Sequence, residues 1–401
     1  MSFDLGIANE MLSEARDIIT EKNTSKSMTD APRLIILGGQ PGSGKSSAIE
    51  LIESEYNKNV VAINGDDFKP LYPDYNLKMQ HSSEKTSIEV QPYSNHVVNA
   101  LKAEYSDKKY NLIIEGTMRT SDIPLSTVSE MKAKGYKAEA YVVAANYYAS
   151  RTGCLLRMET DKFNTGIGRP VPVDSHDAAY ANIPATIKTL VDSGMLDNLK
   201  VLTRDGKVIG DLSQGHDVVS IYTAHRNQMD KLEFKQVNDD LTKVLSMMKD
   251  RNASVADISQ VANLQTQLKL NHGIDQTVKA NLMEFLDKEI NRSTALENQV
   301  RSITHKIGDK FELTNKVNNL TDDLKDFCTK NTPSVKANLE QQEIVLKPQF
   351  GQSLDHKAIQ QRLASNQLNQ NDMYNLVRGM ERRMAVQTQQ ISLSQGKGVK
   401  L

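Results

Sequence analysis

Residues 33–47 read RLIILGGQPGSGKSS, and this stretch decides the fold. The apolar run Leu34–Leu37 leads into Gly39-Gln40-Pro41-Gly42-Ser43-Gly44-Lys45-Ser46, which satisfies G-x-x-x-x-G-K-[ST], and a helical pattern follows from Ser47 to about Glu55. Glycines let successive backbone N–H groups turn inward around a β-phosphate, where side chains would block the approach. Lys45 has the reach to meet the β and γ oxygens. The Ser46 hydroxyl suits Mg²⁺, and the following helix aims its positive end at the phosphates. Strand, loop and helix in this order predict an ATP-binding loop over Gly39–Ser47.

Working outward, four further short runs read as strands: Val60–Asn64, Asn111–Glu115, Ala138–Ala144 and Leu199–Thr203. Three of the five runs are continuously apolar, as strands covered on both faces should be. Strands alternating with helical stretches predict an α/β fold, a parallel sheet with helices on both faces. Residues 1–30 carry an amphipathic lead-in helix over 4–21, and the kinase-like core is expected over 31–213. After a glycine-bearing link at 206–215 the texture becomes all-helical. Phe234, Val237, Leu241, Val244 and Met248 step at helical spacing, as do Leu296, Val300, Ile303 and Ile307. A separate all-helical domain is expected over 218–385, dispensable for chemistry, with a disordered polar tail at 386–401.

The second and third strands end in polar clusters. Asn64-Gly-Asp66-Asp67-Phe68-Lys69 follows one, and Glu115-Gly-Thr117-Met-Arg119 closes the other. Ligands bind outside the carboxyl ends of parallel strands. Asp66 or Asp67 would therefore face the γ-phosphate from the side where an acceptor hydroxyl arrives, and a carboxylate there can take its proton. Glu115 can hold Mg²⁺ through water or bond the acceptor. The absence of an ordinary Walker-B Asp argues against the mechanical ATPases. Arg151, Arg157 and Arg169 fall between the fourth strand and Pro170, and DKFNTGIGR at 161–169 has the make-up of a mobile loop delivering cations to the transferring phosphoryl.

Taken together, GQPGSGKS at 39–46, DDFK at 66–69, PYSN at 92–95, EGTMR at 115–119, RMET at 157–160 and RPVPVDSHD at 169–177 resemble the zeta toxins over residues 30–212. That family phosphorylates the 3′-hydroxyl of the sugar in UDP-N-acetylglucosamine, blocking cell-wall precursor synthesis. The resemblance implies that Lys45 and Ser46 hold ATP and Mg²⁺ and that Asp66 is the base. Glu115 and Thr117 would bind the amino sugar, with Arg119 in the same motif. Arg157 and Arg169 would stabilise the transferring phosphoryl. Asn99 stands where the family has an acid that contacts the sugar. The family's toxins are usually restrained by a small antitoxin, so an antitoxin or immunity partner is expected.

Composition narrows the alternatives. The 401 residues carry a formal charge of −1, so no overall field draws the chain to nucleic acid or an anionic membrane. Two cysteines, Cys154 and Cys328, form no disulfide framework. No signal peptide or membrane-spanning run is read, and the expected location is cytoplasmic, with delivery into another cell left open. Three other readings remain: the same kinase acting on a nucleotide, NAD or another hydroxylated metabolite; a non-enzymatic nucleotide-gated interaction protein; and a polynucleotide kinase, for which no basic, aromatic-interleaved stripe is found.

Overall fold

The computed structural model describes residues 3–273, 277–287, 355–369, 371–377 and 379–380. It contains a six-stranded sheet built from β1 (Arg33–Gly38), β2 (Val61–Ile63), β3 (Leu112–Gly116), β4 (Lys137–Val143), β5 (Asn198–Leu202) and β6 (Val208–Asp211), in the order β2-β3-β1-β4-β5-β6. The first five strands run parallel and β6 returns antiparallel beside β5. The order reverses at β1, which sits centrally between β3 and β4, so the crevice at its carboxyl end is where a ligand belongs. The register Leu37↔Glu115 and Gly38↔Gly116 sets the end of β3 beside the start of the glycine-rich loop.

β6 lies inside the stretch read as a link. Its four residues include Gly210 and carry too little apolar pattern to announce a strand. It forms because the chain folds back at Gly206, where Thr203 N–H donates to the Lys207 carbonyl at 2.9 Å.

Helices cover the sheet as expected of an α/β core. They are α1 (Leu5–Lys22), α2 (Lys45–Glu55), α3 (Tyr75–His81), α4 (Ser83–Asp107), α5 (Asp122–Ala133), α6 (Tyr147–Thr165), α7 (Val173–Asp192), α8 (Val218–Asn227) and α9 (Lys231–Asp250). The lead-in helix α1 is part of this core: Ala8, Met11, Leu12, Ala15 and Ile19 are buried, it packs on α4, and Arg16 pairs with Glu104 there. Asp4 starts it by accepting N–H bonds from Gly6 and Ile7.

The expected boundary at 213–218 moves. The first compact unit runs through Ala253 and the second begins at Ser254. Val218 and Tyr222 of α8 enter the same apolar core as the strands, because β6 and β5 leave a face that α8 closes. The stripe of Val237, Leu241, Val244 and Met248 is buried as α9 packs along α6. Just past α9, Arg251 donates to Glu159 of α6 through Nε at 2.6 Å and Nη2 at 2.9 Å. The Glu159 side chain is only 1 % exposed, so it depends on that partner. Arg251→Met should cost roughly 3 kcal/mol, the low end for a broken buried pair, because Lys162 lies 3.5 Å away. Equilibrium denaturation of the full chain measures it, and no loss would show that Glu159 is paired otherwise.

The second unit, described by itself, contains α10 (Val255–His272) and a helix at His356–Ala364, with no strand among its described residues. Leu270, Leu282, Leu286, Ile359, Leu363 and Met373 form its apolar core. Asn271 seals it, accepting from Leu368 N–H at 2.7 Å and donating to the Leu368 carbonyl at 3.2 Å. The stripe expected from Leu296, the tail at 386–401 and Cys328 lie outside the described residues. No helix among the described residues is long and apolar enough to cross a membrane.

Candidate active site

Gly39–Ser46 bridges β1 and α2, as the strand–loop–helix pattern requires. Two glycines carry its shape. Gly42 has φ of 74°, and a Cβ there would lie 2.1 Å from the Ser150 carbonyl oxygen. Gly44, at φ of 96°, would meet the Arg204 carbonyl oxygen at 2.7 Å. Each needs both a left-handed backbone and room for a close neighbour, so only glycine serves. Gly44 also occupies the N-cap of α2, where no side chain caps the first turn. That end of the helix is thus left open to an anion.

Lys45 folds back over the loop. Its Nζ donates to the Gly39 carbonyl at 3.0 Å and lies 3.7 Å from Glu115 Oε1. Burial pushes the ammonium pKa down, with Glu115 and then Asp66 resisting. Burial likewise pushes the Glu115 carboxyl up, against the pull of Lys45. Asn64 Nδ2 donates to the other oxygen of Glu115 at 3.0 Å. An arriving polyphosphate would give Lys45 an anionic partner beside Glu115.

Asp66 sits on a short 3-10 turn, Gly65–Asp67, directly after β2. Asn64 Oδ1 accepts from Asp66 N–H at 3.0 Å, and Ser94 of the PYSN segment donates to the Gly65 carbonyl at 2.6 Å. Burial pushes the Asp66 carboxyl up, but Lys69, Arg157 and Lys45 outweigh it and hold the group below the usual carboxylate range. Lys69 Nζ is 2.7 Å from Asp66 Oδ1. Asp67 is as exposed as Asp66, but its ion pair is with Lys22, at 4.0 Å. The two adjacent acids therefore occupy different electrostatic settings.

Lys45, Asp66, Glu115 and Arg157 are brought within each other's fields. Arg169, beyond the end of α6, is held by Asp161 Oδ2 at 3.3 Å; residues 161–165 of the stretch read as a loop are the last turn of α6. Thr117 and Arg119 are exposed after β3, and Asn99 is exposed on α4; no described contact ties these three to the cluster. Sequence reasoning gave no role to Lys69 or Asn64. Asp-x-x-Lys spacing on a tight turn was the available signal for Lys69. Among the described residues no three His, Cys, Asp or Glu side chains converge as metal ligands. A cavity of about 500 Å³ opens beside the cluster's lid segment, lined by Met79, His81, Ser82, Met158, Lys162 and Pro170.

The ion pair gives a test. The acid limb of a pH–rate profile reports the free base's titration. Lys69→Met removes the chief cation lowering Asp66, leaving only Arg157 and Lys45 against burial. The limb should move toward neutral pH, with activity lost at a higher pH than in the parent. An unmoved limb would remove Asp66 as the titrating group.

The Zeta toxin family model matches residues 16–211, from the second half of α1 to the last residue of β6. A Toxin zeta of Enterococcus hirae is 32% identical over 233 residues, covering 58% of this chain and 82% of that protein. The chain belongs to the zeta toxin family. A second Toxin zeta, from Streptococcus pyogenes, is 35% identical over 191 residues, 47% of this chain and 67% of its own length. A solved chain of the PezAT chromosomal toxin–antitoxin system of Streptococcus pneumoniae superposes with a TM-score of 0.54 at 23% identity, covering 61% of this chain and 98% of that one. That likeness shows a shared fold, the parallel sheet with flanking helices.

Proposed function

We propose that this zeta toxin is an ATP-dependent kinase whose acceptor is the 3′-hydroxyl of the sugar in UDP-N-acetylglucosamine. The observation that carries the kinase reading is the pairing of an open, glycine-shaped phosphate loop with an ionised Asp66 in the field of Lys45 and Arg157. Loop N–H groups and Lys45 would hold the β and γ phosphates, while Arg157 offsets charge on the transferring group. Arg169 would join it by leaving Asp161 when the segment after α6, residues 166–169, closes.

Asp66 would orient the acceptor hydroxyl in line and take its proton. Its lowered pKa keeps it ionised at neutral pH. That suits a loose transition state in which little proton affinity is needed before the phosphoryl has moved. Glu115 and Thr117 would bond the sugar, with Arg119 and Asn99 at the margin. The cavity by Met158 and Lys162 offers the acceptor room. Mg²⁺ fits the exposed Ser46 hydroxyl, with phosphate oxygens and water completing its shell; it would neutralise charge between the phosphates.

Asn99 supports a second reading, in which the acceptor is a nucleotide, NAD or another hydroxylated metabolite, since an amide cannot supply the family's charged contact. The full chain, labelled ATP and a panel of UDP-sugars, nucleotides and dinucleotides separate these. The expected product is a 3′-phosphorylated UDP-N-acetylglucosamine. Label on a nucleotide or NAD alone would establish the second reading, and no transfer to anything would leave a nucleotide-gated binding protein. The solved neighbour comes from a toxin–antitoxin system, which supports a small antitoxin as partner here.

A further inference from the structure

The histidine and aspartate that close the RPVPVDSHD motif are not used by the chemistry above, yet they end a buried polar chain that starts on the phosphate loop. Gln40 Nε2 donates to the Ala145 carbonyl at 2.9 Å and to Ser150 Oγ at 3.3 Å. Ser150 Oγ lies 2.9 Å from His176 Nε2, and His176 Nδ1 lies 2.9 Å from Asp177 Oδ1. Gln40, Ser150 and His176 are fully buried. Tyr147 meets the imidazole edge-on with centroids 5.4 Å apart, and Tyr180 stacks on it at 6.4 Å. The charged groups facing the ring are Asp177 and Arg151.

With its Nδ1 proton toward Asp177, a neutral His176 offers Nε2 to the Ser150 hydroxyl, for which the Tyr147 carbonyl at 3.0 Å is the competing acceptor. Ser150 then keeps its lone pairs for the Gln40 amide. The Gln40 carbonyl lies 3.4 Å from Lys45 Nζ, so the peptide fixed by this side chain is one on which Lys45 rests. The arrangement resembles a nucleophilic triad in its residue types, but Ser150 is sealed from solvent and cannot meet a substrate.

We propose that His176 is a positioning residue for the phosphate loop, acting through Ser150 to hold Gln40 in the arrangement that receives ATP. The proposal rests on the loop being the ATP site. Ala145 holds Gln40 independently, so loss of the histidine link weakens binding without abolishing it.

Two substitutions separate this from core packing. Asn at 176 keeps an amide that can bond Asp177 but stops short of Ser150; Gln carries its amide to the place of Nε2. Full-length His176→Asn should bind ATP–Mg²⁺ roughly tenfold more weakly by calorimetry, the effect of one unmet buried hydrogen bond. His176→Gln should restore most of that affinity, and Ser150→Ala should reproduce the Asn variant with the histidine intact. Parent-like affinity in folded His176→Asn and Ser150→Ala overturns the proposal. So does equal weakening in the Gln and Asn variants, the pattern of a merely structural role. Should His176→Asn fail to fold, Ser150→Ala decides alone. A parent chain that binds no ATP, unaffected by Lys45→Ala, would overturn the nucleotide reading and this proposal with it.

Discussion

Asp66→Asn should lower phosphoryl transfer by roughly a hundred- to ten-thousandfold while ATP affinity is retained, the range for loss of a general base. Asparagine keeps the size of the side chain and can still bond Lys69, so the turn after β2 should hold. What disappears is the charge that Lys69, Arg157 and Lys45 together stabilise. Asp67→Asn is the control, because Asp67 pairs with Lys22 at 4.0 Å and not with Lys69. Its effect should be small. Initial rates at saturating ATP compare the two, and a larger loss for Asp67→Asn would transfer the role of base to that residue.

Lys45→Ala should reduce turnover by roughly a hundred- to a thousandfold, about 3–4 kcal/mol for one preorganised group at developing charge. The loop itself should survive, since Gly42 and Gly44 shape it through backbone conformation and contact with Ser150 and Arg204. ATP binding should weaken as well. Glu115 would lose its cation and be pushed further toward the neutral acid by burial. A variant retaining more than a tenth of the parent rate would show that the loop is not the catalytic phosphate site.

The strand–loop–helix around 39–46 was legible in the sequence because its signal is local: the glycine pattern lies directly between the strand and the helix it joins. The choice between Asp66 and Asp67 was not, because it depends on which acid the turn points toward Lys69 and which toward the end of α1. Glu115 was visible as a strand end. Its approach to Lys45 comes from the pairing of β1 with β3, a register between segments far apart in the chain. The α9 stripe was read correctly as a helix face, but its partner was not, since nothing in 234–248 names α6. Arg251 and Glu159 are 92 residues apart, and each looks like an ordinary surface charge in its own segment. The buried His176 chain escaped for the same reason.

The borders of the sheet carry a consequence for how the protein behaves at high concentration. β2 spans three residues and β6 four, while the strands between them span five to seven. Unpaired backbone groups at a sheet border are a template for strands of another molecule, and their number sets how far such pairing can extend. Here each border offers only a few groups, and β6 lies between Lys207 and its own terminal Asp211. A strand from a second copy would gain few hydrogen bonds at either border, so the long interior strands stay out of reach of edge-to-edge aggregation.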